Sequence, residues 1–259
     1  MMKKLLVANW KMHPETPREA KLLAHKLKAL AARHRQHTIA VCPPAVFLGL
    51  LACLPAGRAG TGGKLLWGAQ DVSLTRGVGA YTGEVSASQA RYAGATLTII
   101  GHSERRALGE TDETINQKIK NALAARLKPV ICLGETERDE SGQYLAPLER
   151  QIRGALAGLK KTDFKNMIIA YEPVWAVGKA AQRADTPEDF FRHAIFIRKV
   201  ISDLFGKKVA MNTPVLYGGS VDSKNAASFL VQGQADGLLI GRASLKPDEF
   251  KKIIHATSH

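Results

Sequence analysis

The chain has 259 residues, 45% of them hydrophobic, with 37 Lys+Arg against 23 Asp+Glu and a net charge of +14. So much apolar material excludes a disordered tail or polyelectrolyte, and 23 Gly with 11 Pro in no period of three exclude a fibrous protein. The basic excess raises a nucleic-acid or membrane-surface partner as a reading to test. It is uneven, because residues 1–60 carry ten basic and two acidic side chains.

The three cysteines, Cys42, Cys53 and Cys132, form no C-x-x-C and are odd in number, which argues against a disulfide framework and for a reducing compartment. The apolar start stops at Asn9-Trp10-Lys11, far short of a signal-peptide core. The longest apolar run, Ala45 to Leu54, is too short to span a bilayer. The expectation is a soluble cytoplasmic protein.

In chain order, short apolar runs alternate with amphipathic segments. A strand over Lys4–Asn9 is followed by Thr16-Pro17-Arg18-Glu19, a capping box with Pro at the first helical position. The helix it opens puts Leu23, Leu27, Leu30 and Ala31 on one stripe and leaves Lys21, Lys26, Lys28, Arg33 and Arg35 for the remaining surface. Strands over Thr38–Cys42 and Leu65–Gln70 flank a buried helix over Ala45–Leu54. Ser86-Ala87-Ser88-Gln89 caps the next helix, before a strand over Thr96–Ile100. Thr111, followed by Asp112 and Glu113, opens another, with acids at the positive end of its dipole. Then come strand Pro129–Leu133, helix Glu149–Leu159, strand Met167–Tyr171, a helix opened by Thr186-Pro187, strand Pro214–Tyr217, helix Ser223–Val231, strand Gly237–Ile240 and helix Pro247–His255.

The strand runs are too continuously apolar for half-exposed antiparallel strands and suit parallel strands buried on both faces. Eight β-α units without a composition break give an α/β protein, and residues 1–259 have the size of a single-domain (β/α)8 barrel. Periodicity leaves a doubly wound sheet open as the alternative. In a barrel, chemistry belongs at the C-terminal ends of the strands. There stand Asn9-Trp10-Lys11, Gly101-His102-Ser103-Glu104-Arg105-Arg106, Glu172-Pro173-Val174-Trp175, Gly218-Gly219-Ser220-Val221 and Gly241-Arg242-Ala243-Ser244. A lone Lys near a strand end is usually solvated, and a lone His is usually structural. A carboxylate directly after an apolar strand is harder to dismiss, because its burial is costly.

The first four of these strings, with Gly68-Ala69-Gln70-Asp71-Val72-Ser73 and Tyr81-Thr82-Gly83-Glu84-Val85-Ser86, resemble the triosephosphate isomerase family in the family's order and over essentially the whole chain. The resemblance implies cofactor-free interconversion of dihydroxyacetone phosphate and D-glyceraldehyde 3-phosphate through an enediol(ate). It assigns Glu172 as base, neutral His102 as electrophile, and Lys11 and Asn9 as further donors to the developing oxyanion. Glu104 becomes an orienting acid and Ser103 a neighbour that helps open a short helix. The phosphate falls to the backbone N–H groups of Gly178, Ser220, Gly241 and Arg242, and the loop from Pro173 to about Ala181 matches a lid. Thr82 supports a homodimer in which its loop reaches a second subunit and Arg105 pairs with Glu84, while Gln70 and Cys132 take supporting places.

Two departures stand out. Gly178 is followed by Lys179-Ala180-Ala181-Gln182-Arg183-Ala184-Asp185 rather than Gly-Thr-Gly-Lys-like residues, and the family's paired glycine after the last strand is Gly241-Arg242. A non-glycine residue must therefore accept that backbone conformation. The rival readings are another phosphosugar enzyme on the same barrel and a non-catalytic basic binding protein. No RRM, KH or zinc signature supports nucleic acid. His34-x-x-His37 lacks a companion ligand, Gly57–Gly63 lacks a strand-to-helix phosphate-binding context, and no metal is expected.

Overall fold

The computed structural model describes residues 3–54, 65–138, 142–176 and 185–257. Strands β1 (Lys4–Asn9), β2 (His37–Cys42), β3 (Leu66–Ala69), β4 (Leu97–Ile100), β5 (Lys128–Leu133), β6 (Ile168–Tyr171), β7 (Val215–Tyr217) and β8 (Gly237–Ile240) pair in sequence order, all parallel. The last pairing, Leu5 with Gly237 through Ala8 with Ile240, closes β8 onto β1 and decides for the barrel over the open sheet. A Cβ on Gly237 would collide with the Leu5 carbonyl oxygen, so closure at this seam needs glycine.

The helices are α1 (Pro17–Arg33), α2 (Ala45–Ala52), α3 (Ala87–Tyr92), α4 (Ser103–Ala107), α5 (Asp112–Ala124), α6 (Leu145–Ala155), α7 (Pro187–Phe205), α8 (Lys207–Asn212), α9 (Ala226–Val231) and α10 (Pro247–Ala256). The cap signals hold. Thr16, Ser86 and Thr111 each accept a hydrogen bond from the backbone N–H three residues on, and Thr186 does the same for Asp189. The α6 segment runs four residues earlier at both ends than its sequence pattern suggests. Pro147 is tolerated because it falls in the first turn, and the chain turns off at Gly158, whose φ is 69°. A short helix unannounced by the pattern, α8, begins after Gly206 (φ 91°) interrupts the helical path of α7.

Two apolar layers explain the uninterrupted strand runs. Leu6, Ala8, Ile169 and Tyr171 join the layer between sheet and helices. Val7, Ala40, Cys42, Leu97, Ile99, Val130, Cys132, Ile168, Ala170, Leu216 and Leu239 fill the barrel interior. Arg198 on α7 ties the shell to the strand starts: its guanidinium meets Asp236 Oδ2 at 2.7 Å, and the same oxygen accepts the Val215 N–H at 2.8 Å. Among the described residues, no helix is long and apolar enough to cross a membrane.

Candidate active site

Strand parity carries polar residues into the mouth of the barrel. Val7 points inward, so Asn9 two residues on does too. Ile168 and Ala170 point inward, so Glu172 follows them. Leu239 likewise precedes Gly241, and Leu216 precedes Gly218. His102 has the wrong parity for β4, whose Leu97 and Ile99 face in. Gly101 corrects this by taking φ 72°, where a side chain would also press on Ile115.

Asn9, Lys11, His102, Ser103, Glu104, Glu172, Ser220, Gly241 and Arg242 thus line one cleft of about 690 Å³ at the C-terminal rim. Thr82 is not among its walls and stands exposed on the loop after β3. Gly178 and the rest of 177–184 lie outside the described residues, so the altered loop tip does too.

Lys11 adopts a left-handed φ of 51°, held from both sides: its N–H donates to Asn9 Oδ1 at 3.0 Å, and its carbonyl accepts from Gln70 Nε2 at 2.8 Å. Its ammonium meets Glu104 Oε1 at 2.5 Å. His102 caps α4, and its Nδ1 accepts the Glu104 N–H at 3.1 Å. An accepting Nδ1 carries no proton, which makes the ring the neutral tautomer with its proton on Nε2. That Nε2 lies 3.3 Å from Glu172 Oε1. The other oxygen of Glu172 accepts the Ser103 N–H at 2.8 Å. Glu172 is only 3% exposed, so these polar contacts offset the cost of burying its carboxylate. Cys132 lies beneath it, where burial first, and the Glu172 charge second, push the thiol well up.

The paired-glycine departure is resolved without strain. Gly241 has φ −86°, and Arg242 begins a 3₁₀ helix, Arg242–Leu245, with a negative φ. A non-glycine residue therefore fits there, with its side chain exposed on the cleft wall. Within the chain, Arg105 Nε engages Glu110 at 2.8 Å and Asp71 at 3.2 Å.

Sequence reading missed Glu135, which stands two residues past the end of β5 and is 2% exposed. It accepts the Tyr171 hydroxyl at 2.7 Å and the Trp175 indole N–H at 2.8 Å, fixing the chain on both sides of Glu172. Arg138 lies over the Trp175 ring at 4.9 Å and pairs with Asp189 of α7 at 2.7 Å. The available signal was the same one used for Glu172, a carboxylate just past an apolar strand.

Fold and rim together define the class: a (β/α)8-barrel enzyme with its polar constellation at the C-terminal mouth, arranged for acid–base chemistry. Residues 4–257 match the sequence profile of the family described as triosephosphate isomerase. The triosephosphate isomerase of Citrifermentans bemidjiense is 45% identical over 98% of both chains. That of Carboxydothermus hydrogenoformans is 40% identical over 98% of both. That of Caldanaerobacter subterraneus subsp. tengcongensis is 39% identical over 98% of this chain and 100% of its own. The chain belongs to the triosephosphate isomerase family.

Proposed function

We propose that the chain interconverts dihydroxyacetone phosphate and D-glyceraldehyde 3-phosphate without a cofactor. The observation that carries this reading is the Glu172–His102 pair, with His102 Nδ1 engaged by Glu104 so that Nε2 holds the proton. Moving a carbonyl by one carbon needs a proton taken from carbon and returned to its neighbour. Glu172, released from the Ser103 N–H, takes it. Negative charge then grows on the substrate oxygen, where His102 Nε2–H, the Lys11 ammonium and the Asn9 carboxamide are preplaced to receive it. The same carboxyl gives the proton back to the adjacent carbon. Glu104 orients both Lys11 and His102.

The phosphate is taken by the N–H groups of Ser220, Gly241 and Arg242, with the Arg242 guanidinium adding charge at the cleft wall. Gly178 completes this set in the reading, from outside the described residues. The family's homodimer follows through the loop around Thr82. Exposed Val78 and Tyr81 on this loop, and Met12 beside the rim at 92% exposure, support it. The three unbridged cysteines support a cytoplasmic setting.

Turnover in a coupled assay tests the reaction. Glu172→Gln is expected to lower kcat about 10²- to 10⁴-fold with the fold intact. A folded parent protein with background activity, or a Glu172→Gln variant as active as the parent, rejects the assignment.

A further inference from the structure

The opposite end of the barrel carries a second cavity of about 630 Å³. Its walls come from the starts of four strands: Leu5, second in β1, and the first residues Leu66 of β3, Leu97 of β4 and Ile168 of β6. Leu97 and Ile168 belong to the barrel interior, and Leu5 and Leu66 pack on that layer, so the floor of this cavity is the apolar filling of the barrel. Phe164 from the 3₁₀ turn Lys161–Asn166 and Val209 from α8 extend the apolar wall.

The rim has one sign of charge. Lys128, Lys161, Lys165 and Lys208 line the opening, all exposed, and the described lining residues include no Asp or Glu. None of the four has an acidic partner among the described residues. Four unneutralised ammonium groups around an apolar hollow repel one another and attract an anion. The volume falls within the ~300–1,000 Å³ range of small-molecule sites, where apolar walls hold the body of a ligand and a few polar groups fix its orientation.

We propose that this N-terminal mouth is a binding site for a single small amphiphilic anion, a medium-chain carboxylate whose alkyl chain lies against the apolar floor and whose head meets the lysine rim. The concave shape and closed floor favour one free molecule over a membrane surface, which would need an apolar face that protrudes. The site lies at the far end of the barrel from the catalytic cleft and shares no wall residue with it.

The test is calorimetric titration of the full chain with decanoate below its micellar concentration. Saturable one-to-one binding is expected, tightening about fourfold for each methylene added from octanoate to decanoate. Decanol should bind at least tenfold more weakly, a comparison that needs no variant. Lys161→Glu with Lys208→Glu should weaken decanoate at least tenfold while leaving isomerase turnover unchanged. A phosphate-bearing inhibitor of the catalytic cleft should not displace it.

Equal binding of decanol and decanoate would overturn the role of the lysines. Displacement by the inhibitor would place decanoate in the catalytic cleft and overturn the site. An absence of saturable binding would overturn the site itself. Binding only to anionic vesicles, or a doubling of mass with decanoate, would assign the face to a membrane or to a second copy. Each of these results overturns the proposal.

Discussion

Lys11 shows how a single residue is made to serve the site. A non-glycine backbone at φ 51° costs about 1–2 kcal/mol, and the conformation persists because Asn9 and Gln70 grip its N–H and carbonyl. Asp185 is a second residue whose surroundings matter more than its type. Burial, and then the neighbouring Asp189 carboxylate, raise its pKa to about 7, against the opposing Thr186 N–H and Arg138. The unfolded chain releases this proton near pH 3.9, so the folded state binds more protons between about pH 4 and 7. Stability is therefore lost as pH rises through that window. Asp185→Asn is expected to raise Tm at pH 8 by about 2–4 °C for each kcal/mol relieved, and to change little at pH 4. Scanning calorimetry at the two pH values checks this, and a gain of equal size at both would contradict the assignment.

At the scale of elements, the ends of β5 and β6 act together. Glu135 binds Tyr171 and Trp175 on either side of Glu172, so two neighbouring strand ends share one buried acceptor. Glu135→Leu strands two buried donors and should cost about 1.5–3 kcal/mol in denaturant unfolding. Glu135→Gln keeps an acceptor oxygen in place and should lose markedly less. Equal losses would show that the hydrogen bonds are not what Glu135 contributes. His193, stacked on Tyr171 at 4.6 Å, belongs to the same unit, and burial lowers its pKa against the opposing pull of Glu135 and Asp189. Its contribution is present above the unfolded histidine value of about 6.5 and is lost as pH falls below it.

For the whole molecule, charge and site separate. Most of the +14 sits in the N-terminal quarter, where α1 exposes Lys21, Lys26 and Arg33, whereas Lys28 folds back to the Leu54 carbonyl at 2.8 Å. The catalytic reading uses Lys11 and Arg242 alone. The proposed dimer makes its own prediction at this scale. The chain should sediment near twice 28.1 kDa at micromolar concentration, and Thr82→Arg should shift it toward the monomer by placing a charge in the proposed interface. A parent that sediments as a monomer would remove the dimer from the reading.

The sequence by itself determined the alternation of elements, their caps and the residues at the strand ends. Those are local properties: apolar runs of strand length, Thr and Ser at helix starts, and a carboxylate after Tyr171. Its periodicity could not decide between an open sheet and a barrel, because the decision rests on one non-local pairing of β8 with β1 through a glycine seam. Nor could it place His102, whose strand parity points away from the mouth until Gly101 turns the chain. Arg242 beside Gly241 poses a conformational question in the sequence that only the tertiary structure answers, by making it an ordinary first residue of a 3₁₀ turn. The position of Glu135 past an apolar strand was legible, but its partners Tyr171 and Trp175, like the lysine-rimmed floor, were not, because they lie on other segments. A sequence fixes neighbours along the chain, whereas hydrogen bonds between strand ends and the sign of charge around a cavity exist only once distant segments are packed side by side.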